Sequence, residues 1–164
     1  MILLLVRHAH AGDPARWKGD DHLRPLSKSG RECADALAGL LAPYRPERII
    51  SSPLVRCVQT VEALAALLGV EIELDEELAE GHGTQSEEVL GSILSSPDWG
   101  ACVAVTHGDV IANFITHLQA RGAALSPPEP RWAKGSTWVI RPNAVLPDAV
   151  EATYLPAPES PQSV

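Results

Sequence analysis

Three short polar clusters in the sequence combine arginine, histidine, serine and threonine side chains. The clusters are Arg7-His8, Ser51-Ser52 with Arg56, and Thr106-His107. Two guanidinium groups suit a phosphate dianion, because each offers a planar fork of donors to the phosphate oxygens. A neutral histidine beside them can attack phosphorus through a ring nitrogen, since nearby positive charges lower its pKa. These residue types therefore indicate phosphoryl chemistry, in which fixed cations take the place of a metal ion.

A leaving group in such a reaction needs a proton, and the sequence offers three carboxyl groups for that role. Glu76, Glu77 and Glu80 lie in one acidic stretch. Desolvation and neighbouring negative charges raise the pKa of a carboxyl group and suit it to general-acid catalysis. Position alone does not choose among the three. A second histidine, His107, is suited to stabilise charge on the equatorial phosphate oxygens.

The apolar pattern predicts that the three clusters follow strands. Ile2–Val6 and Cys102–Val105 are continuous apolar runs, typical of strands buried on both faces, and Arg48–Ile50 is a shorter candidate. Apolar stripes at helical spacing alternate with these strands. The alternation predicts a three-layer α/β/α fold with a mostly parallel central sheet. Such folds bind ligands in the crevice beyond the carboxyl ends of the strands, which is where the clusters would meet.

Serine, proline and glycine mark the predicted helix boundaries. Ser27 is expected to cap the first helix, and Gly69 to end the second. Ser51-Ser52-Pro53 predicts a cap followed by proline at the first helical position. Arg56 would then lie in the first turn, where free backbone N–H groups favour an anion. Ser86 is expected to open a short third helix.

Length and charge limit the classes of protein to which the chain can belong. A chain of 164 residues can build one full core. We expect a single domain over 1–155 and a disordered C-terminal tail over 156–164. The net charge is 13 − 21 = −8, which argues against a nucleic-acid polymer or a membrane as the partner.

The cysteines and the first apolar run indicate the cellular compartment of the protein. The three cysteines are widely spaced and include no Cys-x-x-Cys pair, which indicates reduced thiols in the cytoplasm. The run Met1–Val6 is far too short for a signal sequence or a membrane span. The sequence therefore predicts a cytoplasmic protein.

Four segments, in order along the chain, resemble the motifs of one family. Leu5-Val6-Arg7-His8-Ala9 is similar to the Arg-His-Gly signature of the histidine phosphatase superfamily, which includes the phosphoglycerate mutases. The other three segments are similar to its Leu-Thr-x-x-Gly, Ser-Ser-Pro-x-x-Arg-x-x-Gln-Thr and Val-x-His-Gly motifs: Pro25–Gly30, Ser51–Thr60 and Val105–Gly108. The chain most resembles small bacterial members, namely phosphohistidine phosphatases and the histidine phosphatase domains fused to Nudix hydrolases. The segment Trp132–Trp138 is similar to the latter, although the sequence contains no Nudix box.

The resemblance implies a phosphoglycerate mutase-like fold and a role for each matching residue. His8 would be the phosphorylated nucleophile, and the phosphate pocket would comprise Arg7, Arg56 and His107. Leu78-Ala79-Glu80 resembles the Leu-x-Glu motif of the family, which selects Glu80 as the proton donor. No metal ion or other cofactor is implied.

Two segments depart from the family pattern. Ala9 replaces the usual glycine, and Gly81-His82-Gly83 replaces an aromatic-rich continuation after the acid. The chain also lacks the long helical insertion of the mutases. Without it the site is less well covered and water can enter, which favours hydrolysis over phosphoryl transfer to a second substrate group.

The sequence predicts a metal-independent phosphatase acting through a covalent phosphohistidine on His8. Its substrate would be a phosphorylated small molecule, a nucleotide or a phosphoprotein. One alternative is a phosphate- or phosphoprotein-binding module with little turnover, although binding alone would not need both His8 and Glu80. Others are a phosphomutase, and a metal site at His8 and His10. For His10, Arg16 and Lys18 a solvated loop is the favoured interpretation over contact with the far end of the substrate.

Overall fold

The computed structural model describes residues 1–96, 98, 100–143 and 149–159. Within these residues, seven strands and four α-helices alternate over most of the length. The strands are β1 (Ile2–Arg7), β2 (Arg48–Ser51), β3 (Ile72–Leu74), β4 (Ala101–Thr106), β5 (Ala124–Ser126), β6 (Thr137–Pro142) and β7 (Val150–Leu155). The helices are α1 (Lys28–Leu41), α2 (Val55–Leu68), α3 (Gly83–Ser95) and α4 (Gly108–Ala120).

The strands form one sheet in the order β3-β2-β4-β1-β6-β7-β5. Strands β3, β2, β4 and β1 are mutually parallel neighbours, and β5 is parallel to β7. Strand β6 is antiparallel to both β1 and β7. The predicted mostly parallel α/β sheet is therefore confirmed.

Alternate residues of the central strands pack on opposite faces of the sheet. Leu4 of β1 lies in a core shared with α1 and α2, which contribute residues such as Leu37 and Leu64. Its neighbour Leu5 lies in a second core with α3 and α4, which includes Phe114. The two cores establish the predicted three layers and hold the carboxyl ends of the central strands at one edge of the sheet.

Two of the predicted helix boundaries are confirmed. The Ser27 side chain accepts a hydrogen bond from the Gly30 backbone N–H, and α1 begins at the next residue, Lys28. Gly69 ends α2 in the left-handed conformation at φ 67°. That conformation favours glycine because glycine has no Cβ.

The other two predicted boundaries are wrong. Helix α2 begins at Val55 rather than at Pro53, because Ser51 pairs with Val105 of β4 and the Ser52 N–H donates to the Val105 carbonyl. Sheet pairing therefore extends β2 and overrides the local capping preference. Helix α3 begins at Gly83, and the buried Ser86 hydroxyl donates to the Glu77 carbonyl instead of capping the helix.

The far C-terminus follows β7 without a further helix or strand as far as Glu159. Ala157 is half-buried near Gly135. The predicted disordered tail covers 156–164, and its last five residues, 160–164, lie outside the described residues. In the described part of the chain, every helix is too short or too polar to cross a bilayer.

Candidate active site

His8 follows β1 directly and is only 6% exposed. Its backbone N–H donates to the Thr106 carbonyl at the end of β4, which fixes the residue between the two central strands. The ring Nδ1 lies 2.8 Å from the Ala9 carbonyl oxygen. A carbonyl can only accept a hydrogen bond, so Nδ1 carries the proton and Nε2 keeps its lone pair.

Burial and positive charge keep the His8 imidazole neutral. Desolvation is the main cause that lowers its pKa to about 4, and the charges of Arg56, Arg7 and Lys134 act in the same direction. The hydrogen bond to Ala9 opposes the shift. At neutral pH the ring therefore presents an unprotonated Nε2, the state that a nucleophile requires.

Arg7 is the last residue of β1, and its guanidinium is held from two sides. Nη1 donates to the Trp132 carbonyl at 2.7 Å. On the other side, a Cβ at Gly108 would lie 2.9 Å from Cζ of Arg7, so glycine at the start of α4 allows the guanidinium to approach. The motif sequence His107-Gly108 is thereby explained by packing around Arg7.

Arg56 lies in the first turn of α2, with a side chain that is only 2% exposed. Its Nη2 is 2.6 Å from Glu80 Oε1 and 3.2 Å from Asp21 Oδ2. Its Nη1 donates to the Asp21 carbonyl at 2.9 Å. The Asp21 carboxylate also accepts from Arg24 at 2.8 Å. Two acids and one carbonyl therefore fix the orientation of this buried guanidinium.

Glu80 follows a 3₁₀ turn, 76–78, that is tied to the end of the sheet. The Thr106 hydroxyl donates to the Leu78 carbonyl at 2.6 Å, and the Gly81 N–H donates to Asp109 Oδ2 at 2.8 Å. These two contacts flank Glu80 and hold it beside Arg56.

His107 lies just before α4 and is 1% exposed. Its Nε2 is 2.9 Å from Ser52 Oγ and 3.4 Å from Cys57 Sγ. Its ring is 5.3 Å from the His8 ring, in an edge-to-face arrangement. Desolvation is the main cause that lowers the pKa of His107 to about 3, followed by the charges of His8, Arg56 and Arg7.

Buried side-chain nitrogens without a hydrogen-bond partner concentrate at this site. Among the described residues they are Nε of Arg7, Nε of Arg56 and Nδ1 of His107. Unpaired buried donors are rare in native proteins, and each costs roughly 1–3 kcal/mol. The three belong to the side chains that surround His8, which is the arrangement expected where an anionic ligand supplies the acceptors.

A cavity of about 500 Å³ lies above His8. Its lining comprises Arg7, His8, Glu80, Gly81, His107, Gly108, Asp109 and Trp132. Four of the five predicted site residues line this cavity. The fifth, Arg56, is not part of the lining but bonds to Glu80, which is. Of the three candidate acids, Glu80 lines the cavity, whereas Glu76 and Glu77 belong to the adjacent 3₁₀ turn.

The remaining loop residues lie elsewhere. The exposed His10 bonds through Nδ1 to Ser27 Oγ at 2.7 Å. Arg16 lines a separate, smaller cavity of about 270 Å³ with Trp17, and its side chain is 90% exposed. Lys18 is exposed. Within the described ranges, no group of three or more His, Cys, Asp or Glu side chains is placed to hold a metal ion.

Sequence reasoning did not assign functions to several residues that shape the site. Asp21 orients Arg56, Asp109 holds the backbone after Glu80, and the Trp132 carbonyl holds Arg7. Gly135, in a left-handed conformation, donates its N–H to the carbonyls of Arg7 and His8. All four act through contacts between segments that are distant in the chain. In the sequence, only the resemblance of the segment Trp132–Trp138 to Nudix-fused domains pointed to any of them.

Known proteins share both sequence and fold with this chain. It is 37% identical over 163 residues to an 8-oxo-(d)GTP phosphatase of Mycolicibacterium smegmatis, an alignment covering 96% of this chain and 48% of that protein. The chain thus spans about half the length of this curated relative.

Two solved structures have the same fold. SixA of Agrobacterium tumefaciens, assigned as a phosphohistidine phosphatase, superposes with a TM-score of 0.66 at 25% identity, covering 85% of this chain and 90% of that one. A mycobacterial glucosyl-3-phosphoglycerate phosphatase superposes with a TM-score of 0.70 at 19% identity, covering 93% and 96%. The model of the histidine phosphatase superfamily (branch 1) matches residues 3–89. The four motifs, the fold and this match agree, and the chain belongs to the histidine phosphatase superfamily.

Proposed function

We propose that this chain is a metal-independent phosphatase that acts through a covalent phosphohistidine on His8. Nε2 of His8 attacks phosphorus, a P–N bond forms, and the bond from phosphorus to the leaving group breaks. Water then attacks the phosphohistidine, and inorganic phosphate leaves as the P–N bond breaks. The neutral His8 ring with its lone pair on Nε2 supports this role.

The observation that carries the proposal is the set of three unpaired buried nitrogens around His8, on Arg7, Arg56 and His107. Arg7 and His107 line the cavity with His8, and Arg56 bonds to Glu80 at its edge, so the three side chains are proposed to bind the phosphoryl oxygens. Fixed donors of this kind stabilise the charge on the equatorial oxygens without reorganisation. Unpaired buried nitrogens cost stability, and hydrogen bonds to phosphoryl oxygens would offset that cost.

Glu80 is the proposed proton donor and acceptor. It lines the cavity beside His8 and bonds to Arg56. From this position its carboxyl group can give a proton to the leaving group. After that proton has left, the carboxylate can take a proton from the attacking water.

The substrate is proposed to be a phosphorylated small molecule, a nucleotide or a phosphoprotein. The relatives support this range, since they include an 8-oxo-(d)GTP phosphatase and a protein assigned to the phosphohistidine phosphatases. Each of these substrates presents a terminal phosphoryl group to the same donors, and the cavity leaves room for part of a leaving group.

The test is a panel of phosphate monoesters, nucleotides and phosphohistidine, assayed with excess EDTA. We expect turnover in EDTA, loss of turnover in His8→Ala and near-normal turnover in His10→Ala, because His10 bonds to Ser27 and lies outside the cavity lining. Activity that EDTA removes and zinc restores, together with loss in His10→Ala, would favour the metal-site alternative. Binding of phosphate without turnover of any substrate would favour the binding module.

A further inference from the structure

The second imidazole of the site, His107, is bonded at one ring nitrogen and unpaired at the other. Nε2 contacts the Ser52 hydroxyl at 2.9 Å, while Nδ1 is buried and has no partner among the described residues. A neutral imidazole carries one proton, so the two nitrogens have opposite roles. The partner of Nε2 therefore determines whether Nδ1 offers a donor or a lone pair to a ligand.

We propose that Ser52 is a positioning residue that fixes the tautomer of His107. The Ser52 hydroxyl donates to Nε2, the proton of the ring stays on Nδ1, and the Nδ1–H donates to a phosphoryl oxygen. This inference rests on the proposed function for its last step only. The tautomer of His107 itself depends only on contacts within the folded protein.

The surroundings of Ser52 support this direction of the hydrogen bond. Its backbone N–H bonds to the Val105 carbonyl, so the residue is fixed to the end of β4. Its side chain is fully buried, and its hydroxyl lies 2.9 Å from His107 Nε2 and also bonds to the side chain of Cys57. A thiol sulfur is only a weak acceptor, so of these two neighbours the imidazole Nε2 is the stronger acceptor for the hydroxyl proton.

The opposite tautomer fits the site poorly. With the proton on Nε2, the buried Nδ1 would present a lone pair where the proposed ligand is an anion. Cys57 Sγ, 3.4 Å from Nε2, does not resolve the choice, since a thiol is both a weak donor and a weak acceptor. His8 and His107 would thus have complementary tautomers. The Ala9 carbonyl accepts the proton on Nδ1 of His8, which leaves a lone pair on its Nε2. The Ser52 hydroxyl donates to Nε2 of His107, which leaves an N–H donor at its Nδ1.

Ser51 provides a matched control for a test at Ser52. It is equally buried, but its hydroxyl donates to the Ser52 carbonyl and not to the histidine. Ser51→Ala and Ser52→Ala therefore remove the same group from adjacent buried positions, and only the second touches His107. Ser52→Thr restores a hydroxyl at the position.

The experiment combines nitrogen NMR of ¹⁵N-histidine-labelled protein with kinetics on an aryl phosphate. His107 signals are assigned from a His107→Asn variant, and far-UV circular dichroism confirms that each variant is folded. We expect wild type and Ser51→Ala to show the Nδ1–H tautomer at neutral pH. Ser52→Ala should show a mixture or the Nε2–H form, and kcat/KM lower by about 10- to 100-fold, less than the 10²–10³-fold typical of removing an oxyanion donor outright. Ser52→Thr should recover the tautomer and part of the rate.

An Nε2–H tautomer in the wild-type protein would overturn the proposal. So would a Ser52→Ala variant whose tautomer and kcat/KM equal those of Ser51→Ala. If Ser52→Ala fails to fold, the wild-type spectrum and Ser52→Thr still decide the tautomer. A wild-type protein that turned over no substrate would contradict the proposed function and leave the NMR result to decide the role of Ser52.

Discussion

Burial lowers the pKa values of the two histidines of the candidate site, His8 and His107, far below that of a free histidine. The imidazole of His8 is unprotonated in the folded protein chiefly because it is desolvated, and the neighbouring cations add to this effect. The Ala9 carbonyl selects the nitrogen that remains free. The exposed His10 instead bonds through Nδ1 to the Ser27 hydroxyl and lies outside the cavity lining.

The pKa of His8 can be measured directly by NMR titration. We expect a value of about 4, well below the 6.5 of a free histidine, and we expect Lys134→Gln to raise it, because Lys134 contributes positive charge near the ring. Lys28→Gln is the control, since this exposed lysine at the start of α1 does not act on His8. A normal pKa in the wild type, or an equal effect of both substitutions, would contradict this electrostatic explanation.

The Glu80→Gln variant tests whether Glu80 donates a proton to the leaving group or only holds Arg56 in position. An alkyl phosphate releases a basic alkoxide and needs protonation, so kcat/KM should fall by about 10²–10⁴-fold. An aryl phosphate has a better leaving group and should lose far less. The measurement is the ratio of wild-type to mutant kcat/KM for alkyl and aryl substrates of similar size. Equal losses would show that Glu80 acts only by holding Arg56, to which it bonds at 2.6 Å.

At the scale of elements, the site depends on how closely the start of α4 approaches the end of β1. A Cβ at Gly108 would lie 2.9–3.1 Å from three atoms of the Arg7 guanidinium. We expect Gly108→Ala to displace Arg7 and to lower kcat/KM by about 10²-fold, the effect of a misplacement of about 1 Å. The unfolding free energy should change far less, because a flexible side-chain end can move.

Gly91→Ala in α3 is the matched control for this substitution. Nothing lies within 4 Å of its added Cβ, so activity should be unchanged and the unfolding free energy should rise by about 0.5–1 kcal/mol. Equal kinetics for the two alanine variants would show that the approach of Arg7 to α4 is unimportant.

Features that depend on a local sequence pattern could be predicted from the sequence. Features that depend on contacts between distant segments could not. The Ser27 cap and the Gly69 helix end could be predicted because each satisfies a local backbone requirement. The helix start at Ser51-Ser52-Pro53 was predicted wrongly, because pairing of Ser51 with β4 outweighs the local tendency of this segment to begin a helix. The orienting contacts of Asp21 and Trp132 join segments far apart in the chain, so no spacing in the sequence indicates them.

The whole molecule brings the site together because three parallel strands end at one edge. Arg7 and His107 are 100 residues apart in the chain, yet Arg7 pairs with Thr106 in the register of β1 and β4. Both cores of the sheet therefore stabilise the positions of His8 and His107. The site in turn costs stability, since among the described residues it buries two imidazoles and three unpaired nitrogens.

The pH dependence of global stability should reveal this cost. His8 and His107 have pKa values of about 4 and 3 when folded and near 6.5 when unfolded, so the unfolded state binds more protons below about pH 6.5. Stability should fall as pH drops through this window, by about 2 kcal/mol for His8 between pH 7 and pH 5. Urea unfolding at pH 7 and pH 5 measures it, and His8→Gln should lose less. An equal loss in both proteins would contradict the neutral, buried state of His8.

Trapping the phosphorylated protein tests the central claim most directly. Wild-type protein turning over an aryl phosphate is quenched by denaturation at neutral or alkaline pH, because phosphohistidine does not survive acid, and the peptides are analysed by mass spectrometry. We predict one phosphate on the peptide that contains His8, at that side chain, accumulating within the first turnover and absent in His8→Ala. Turnover with no phosphate on His8, or with phosphate on another residue, would contradict the account.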